Sequence, residues 1–395
     1  MLNTKNISIE LLRVTAMAMV LYMHTLDIAV YDWTADKPFH LNFMSLPEIF
    51  CMISSVMAVN IFAMISGYLL CKSEFKISRL LSIYLQTAFY TVGFTVLFAI
   101  FSSDAVTIRK WYSAVLAIYS YWYVKSYFAL LLLLPILTLA VSYFRSRILF
   151  FGILLFIISV FSTFLPGDMF CIYKGYSAIW LSILFVVGGI IRDWENNKAL
   201  QKVPRFCMAL LFLGAVVVNI ISYYVLKSLL PSSLQSRVLF ALTAYCSPVV
   251  IIQSLAFFIF SLQIKIKNTV IQKIILWLGP LSFAVFLIHM NPLVRFNLFQ
   301  GGFNRFFPHW QNILNLKQYH IIYPAEICAV ILIFLVCCFI DFGRLKLFKL
   351  CRIPELLQAI DQLPLVKAIC QCTEREVSTR TKAQAQSCDC ENKNA

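Results

Sequence analysis

Four ionisable side chains fall within one apolar run near the start of the chain: Glu10, Arg13, His24 and Asp27, in IELLRVTAMAMVLYMHTLD. Inside a bilayer each costs roughly 2.5–3.5 kcal/mol to insert, so each calls for a partner or a function. Arg13 and His24 are 11 residues apart. At ~100° per residue that is three turns plus ~20°, so both point the same way, roughly 16 Å apart along the axis. Glu10 lies one turn before Arg13 and Asp27 one turn past His24, all near one face. A neutral imidazole held by a carboxylate one turn away is what a general base needs, with Asp27 orienting His24. The bland alternative makes Glu10–Arg13 an interfacial ion pair with Arg13 snorkelling, and His24–Asp27 a helix end. It competes seriously for Arg13 alone, but less well for four aligned polar groups.

Other residues invite the same weighing. Lys72, Lys76 and Arg79 form a basic segment directly after Ser66-Gly67-Tyr68. Ordinary topology charge explains Lys72. Gly67 suits a close helix approach. Trp122 and Tyr123 read first as an interfacial aromatic belt. Lys125 either snorkels or lines a cavity. His289, followed by Asn291 and Pro292, is equally a helix-end histidine or a substrate contact. His40, His309 and His320 have no metal-ligand spacing, and Cys370-x-Cys372 and Cys388-x-Cys390 are too closely spaced for zinc, so no metal is expected.

These residues must be positioned by membrane helices. Of 395 residues 61% are hydrophobic and only 13% charged, against roughly 25% charged in soluble domains. Lipid tolerates that ratio. Spans are expected at approximately 9–30, 47–70, 80–101, 112–141, 148–165, 176–191, 206–226, 238–261, 274–293 and 321–341, about ten in all. The sequence thus predicts an all-α polytopic fold. The first run lacks a cleavage site and is read as a span rather than a signal peptide. With the N-terminus inside, the inner segments hold 22 Lys and Arg and the outer ones 9, which favours both termini in the cytoplasm. The net charge of +15 is therefore topology, and no nucleic-acid partner is expected. Residues 1–345 form the membrane domain. Residues 346–395 are expected to be a largely disordered, basic cytoplasmic tail, with an amphipathic stretch at 353–368. The 13 Cys show no disulfide framework.

Taken in order, these motifs resemble the acyltransferase 3 family of bacterial membrane O-acyltransferases. The Arg-x10-His pair Arg13–His24 matches its signature. VNIFAMISGYLL (59–70), KISR (76–79), YWYVKSYFALLLLLPIL (121–137) and GPLSFAVFLIHMNPL (279–293) are similar to its further motifs. Lys76, Lys125 and Phe286 depart from the usual residues. The resemblance implies a stand-alone enzyme of the bacterial inner membrane, without an extracytoplasmic esterase-like domain. It would move an acyl group, acetyl in the first instance, from acyl-CoA to a hydroxyl of a cell-surface or lipid-linked glycan. Acyl-CoA is then a substrate, and no bound cofactor is expected. The resemblance implies His24 as base or transient acyl carrier, with Asp27 orienting it as read above, Arg13 holding the thioester end or another polar part of the donor, and Lys76, Arg79, Ser66 and Tyr68 at the donor. His289, Trp122 and Lys125 would stand at the acceptor or cavity. A transporter of polysaccharide or lipid-linked glycan is the alternative, weakened by the missing internal repeat.

Overall fold

The computed structural model describes residues 7–30, 45–102, 106–165, 167–231, 240–300, 302–303, 307 and 309–368. The cysteine pairs of the tail, its expected disorder beyond residue 372, and His40 lie outside the described residues. α1 (Ile7–His24) passes directly into a π-helical segment, Thr25–Val30. Then come α2 (Leu46–Ser55), α3 (Ala58–Leu70), α4 (Ile77–Phe101), α5 (Ile108–Val115), α6 (Trp122–Leu132) and α7 (Leu134–Phe144). They are followed by α8 (Ile148–Phe164), α9 (Ala178–Asn196), α10 (Arg205–Leu229), α11 (Pro248–Leu262), α12 (Thr269–His289), α13 (Tyr319–Leu350) and α14 (Ile353–Gln362). No strand occurs among the described residues.

Among the described residues six helical stretches are long and apolar enough to cross a bilayer: α1, α2 with α3, α4, α10, α12 and α13. The bent pair α6–α7 makes a seventh if it counts as one span. α8 and α11 are apolar but shorter, at 17 and 15 residues. α9 ends in Arg192, Asp193 and Glu195. Large apolar side chains such as Ile100, Leu149, Phe156, Leu332 and Phe339 point outward and exposed. A belt of that kind is covered by lipid. The chain is an all-α polytopic membrane protein.

Backbone breaks inside lipid must be repaired, because no water is there to bond the freed groups. The α2–α3 break at Val56–Met57 leaves carbonyls without helical partners. Gln253 of α11 fills the gap, its Nε2 donating to Ile53 O and Ser54 O at 3.0 Å each. The expected single span at 112–141 is instead the end of α5, a 3-10 turn at Ala117–Ser120, and α6 with α7, these two bent by 72°. Pro135, near the start of α7, has no N–H to continue the ladder and disfavours a helical residue before it. α13 runs unbroken to Leu350, past the expected domain edge at 345, and α14 follows within the stretch expected as tail.

Packing is closest where side chains vanish. A Cβ on Gly67 of α3 would lie 1.8 Å from Phe185 O of α9, and one on Gly188 of α9 would lie 2.0 Å from Met64 O. The two backbones therefore touch at reciprocal glycines, the small-residue packing that drives helix association in lipid. Gly214 on α10 faces open space. Gly188→Leu should thus abolish the monodisperse folded species in detergent size-exclusion chromatography, because backbone cannot yield as a side chain would. Gly214→Ala should leave that peak unchanged. A normal peak for Gly188→Leu contradicts the packing.

Candidate active site

α1 and α12 lie side by side. Glu10 meets Gly279 near one end, where a Cβ on the glycine would fall 2.0 Å from Glu10 Oε2. His24 meets His289 at the other end. Both helices therefore run in the same direction. The stripe Arg13, Met17, Val20 and His24, spaced four, three and four residues apart, lines a cavity of about 360 Å³. α3 contributes Phe62 and Ser66, α4 contributes Arg79 and Ile83, and α6 contributes Trp122, Tyr123 and Tyr127. α12 closes the wall with Pro280, Ser282 and Phe286. Such mostly apolar concavities with a few convergent polar groups are the usual form of a binding site.

At one end the Arg13 guanidinium holds both carboxylate oxygens of Glu10, at 3.1 and 3.0 Å. Gly279 leaves room for that carboxylate, so a glycine on α12 indirectly sets where the Arg13 head sits. At the other end His24 is the last α-helical residue before the π-helical segment. π-helical insertions re-aim side chains and are frequent at functional sites.

The histidine pair fixes its own proton pattern. His289 Nδ1 lies 2.5 Å from Val285 O, and a carbonyl only accepts, so Nδ1 carries the hydrogen. In a neutral ring His289 Nε2 is then an acceptor. It stands 2.9 Å from His24 Nδ1, which must donate to it. His24 is left with a lone pair on Nε2. A chain of N–H donors running His24 → His289 → Val285 thus presents one basic nitrogen. His289 is 1% exposed, so water does not compete for these bonds.

The other expected site residues divide. Ser66, Arg79 and Trp122 line the cavity with Arg13 and His24. Trp122 packs among aromatic side chains there, its ring 4.6 Å from Tyr176 and stacked at 6.1 Å on Tyr245. Asp27 makes no hydrogen bond to His24 among the described residues. It stands instead within electrostatic reach of Arg295 and Tyr176. The physical reason is the π-helical segment, which changes the angular phase after His24. Tyr68 points away from the cavity, with its hydroxyl on Glu195 and its ring against Phe258 at 6.2 Å. Lys76 and Lys125 are exposed and do not line the cavity. Sequence reasoning missed Tyr127, Tyr245 and Arg295. Among the described residues no group of three His, Cys, Asp or Glu side chains is placed to hold a metal.

The hydrogen-bond chain is directly observable. In protein labelled with 15N-histidine, the two resonances lost on His24→Ala and on His289→Ala should both report Nδ1–H tautomers. An Nε2–H tautomer at His24 would contradict the derived pattern.

No curated protein and no solved structure matches the chain. A protein-family model does: residues 6–340 match an acyltransferase domain, covering every element from α1 to the middle of α13. The chain belongs to the acyltransferase 3 family and is a membrane acyltransferase.

Proposed function

We propose that the protein transfers an acyl group, acetyl in the simplest case, from cytoplasmic acyl-CoA to a hydroxyl of a cell-surface or lipid-linked glycan. The membrane would be a bacterial inner membrane, with both termini inside. The carrying observation is one cavity bordered by Arg13 and Arg79 as well as by His24, whose free Nε2 is presented by His289.

The long axis of α1 divides the labour. Arg13 lies roughly 16 Å from His24 along the helix, too far to touch an atom reacting at Nε2. It is a donor-holding group, and Arg79 with it. Acyl-CoA carries several phosphate charges that cannot enter lipid, and a guanidinium is their natural partner. Lys76 and Tyr68, exposed or turned away, sit at the edge of this role at most.

At His24 the chemistry balances with one base. Nε2 takes the acceptor hydroxyl proton as that oxygen attacks the thioester carbonyl. A C–O bond forms, the C–S bond breaks, and the thiolate leaves with the proton that His24 returns. His24 Nδ1–H stays bonded to His289 throughout, which stabilises the transient imidazolium. The same lone pair would serve if His24 itself carried the acyl group first. Trp122 and Tyr245 border the cavity, with Tyr176 behind them. Aromatic faces with hydroxyl tips suit an acceptor that is apolar on its ring faces and polar at its edge, as a sugar is. Asp27 and Lys125 stand apart from Nε2 and would act on the acceptor or the field rather than on the base.

Two measurements test the reading. Reporter fusions within 31–44 and at the C-terminus should report opposite sides of the membrane, as the charge asymmetry requires. Reports from the same side overturn the assignment of donor and acceptor faces. In nanodiscs, His24→Ala should abolish ester formation with acyl-CoA binding retained. Arg79→Ala should raise the donor KM about ten- to hundredfold, a loss of ~1.5–3 kcal/mol. Arg79→Lys should recover only part of it. Full activity in His24→Ala at normal expression rules out the base.

A further inference from the structure

The first turn of α4 carries Arg79, yet it lacks a cap of its own. Its N-cap residue is Lys76, whose side chain accepts nothing. The first amides of a helix need acceptors, and the acceptor here comes from the far end of the chain. Asp361 of α14 takes the Ser78 amide on Oδ1 at 3.0 Å and the Ser78 hydroxyl on Oδ2 at 2.5 Å. A carboxylate at a helix N-terminus is favoured by both the hydrogen bonds and the helix dipole.

α14 is built to deliver it. Ile353, Leu357, Ile360 and Asp361 recur at helical spacing and are half-buried, whereas Leu356 and Leu363 face outward. Arg352, in the left-handed region at φ 54°, makes the turn that folds α14 back from α13 onto α4. One residue beyond Ser78, Arg79 lines the cavity, its Nη1 donating to Glu74 O at 3.3 Å across the same turn. A segment that looked like tail thus fixes the backbone that aims Arg79.

We infer that Asp361 is a positioning residue for the acyl donor, acting through Ser78 on the register of Arg79. The inference rests on the donor reading of Arg79 given above. Asp361 touches neither the cavity nor the histidine pair, so its loss should be felt in donor affinity and not in the chemical step. An Asn at 361 keeps a side-chain oxygen that can accept from the Ser78 amide, whereas Ala has none. The residue type therefore separates capping from mere bulk.

The test is donor kinetics of full-length variants in nanodiscs, with acetyl-CoA as probe. Asp361→Ala should raise the KM for acetyl-CoA several-fold with kcat unchanged. Asp361→Asn should restore most of it, since it keeps an acceptor for the Ser78 amide. A wild-type KM in Asp361→Ala, or a fall in kcat alone, overturns the inference. So does failure of Asp361→Asn to do better than Asp361→Ala. Arg79→Ala run alongside separates the two claims. If it raises KM while Asp361→Ala does not, only the positioning role fails. If Arg79→Ala binds acetyl-CoA like the wild type, the donor reading fails and the positioning role falls with it.

Discussion

The structure depends on the parallel contact of α1 with α12, closed at one end by Glu10 against Gly279 and at the other by His24 on His289 at 2.9 Å. Each end does a different job. The glycine seats a carboxylate, the carboxylate holds Arg13, and Arg13 borders the cavity. The histidine contact fixes which nitrogen of His24 carries a proton. Sliding one helix along the other by a single residue would spoil both ends together. α12 also carries Pro280 next to that glycine, a residue that interrupts its own helix ladder and faces the same cavity.

Several polar groups on the remaining helices, which lipid cannot satisfy, are bonded across helices and hold this pair in place. Asn60 of α3 is fully buried and uses both ends of its amide. It donates to Tyr245 O and Ser254 Oγ, and accepts from Trp180 Nε1. Gln253 repairs the α2–α3 break. Tyr90 reaches the buried Asp341–Arg344 pair on α13. Such groups are costly when half-satisfied and rigidifying when complete. With the backbone contacts at Gly67 and Gly188 between α3 and α9, they supply a fixed wall beside α1.

The sequence shows part of this site and hides part, for physical reasons. Arg13 and His24 share a face because α1 is an unbroken α-helix between them, and a 3.6-residue period needs nothing else. Asp27 lies beyond the switch to π-helix, where that arithmetic no longer holds, and nothing in TLDIAV announces the switch. Tyr68 was placed by motif and Lys125 by its depth in an apolar run, and their faces could not be phased. A helix in lipid is apolar on its outer side too, so hydrophobicity does not mark its inner face. The His24–His289 bond joins residues 265 apart and exists only through tertiary packing. Asp361 was hidden likewise: its stretch reads as an amphipathic segment in a polar tail, and only the fold brings it to α4. The broad architecture was legible because an apolar run of bilayer length has few alternatives. The break between α2 and α3 and the bend of α6–α7 were not, since those runs stay apolar through the break.

On the proposed function, the donor's reacting end lies beside His24 while its charged end stays near Arg13 and Arg79. The most direct measurement is photocrosslinking with an acyl-CoA analogue bearing a diazirine on a short acyl group, with adducts mapped by mass spectrometry. Adducts are expected on residues around His24, namely Met23, Trp122 and Phe286, which border the same cavity. Adducts confined to Leu69, Leu70 and Arg79 would place the acyl group at the wrong end and contradict it.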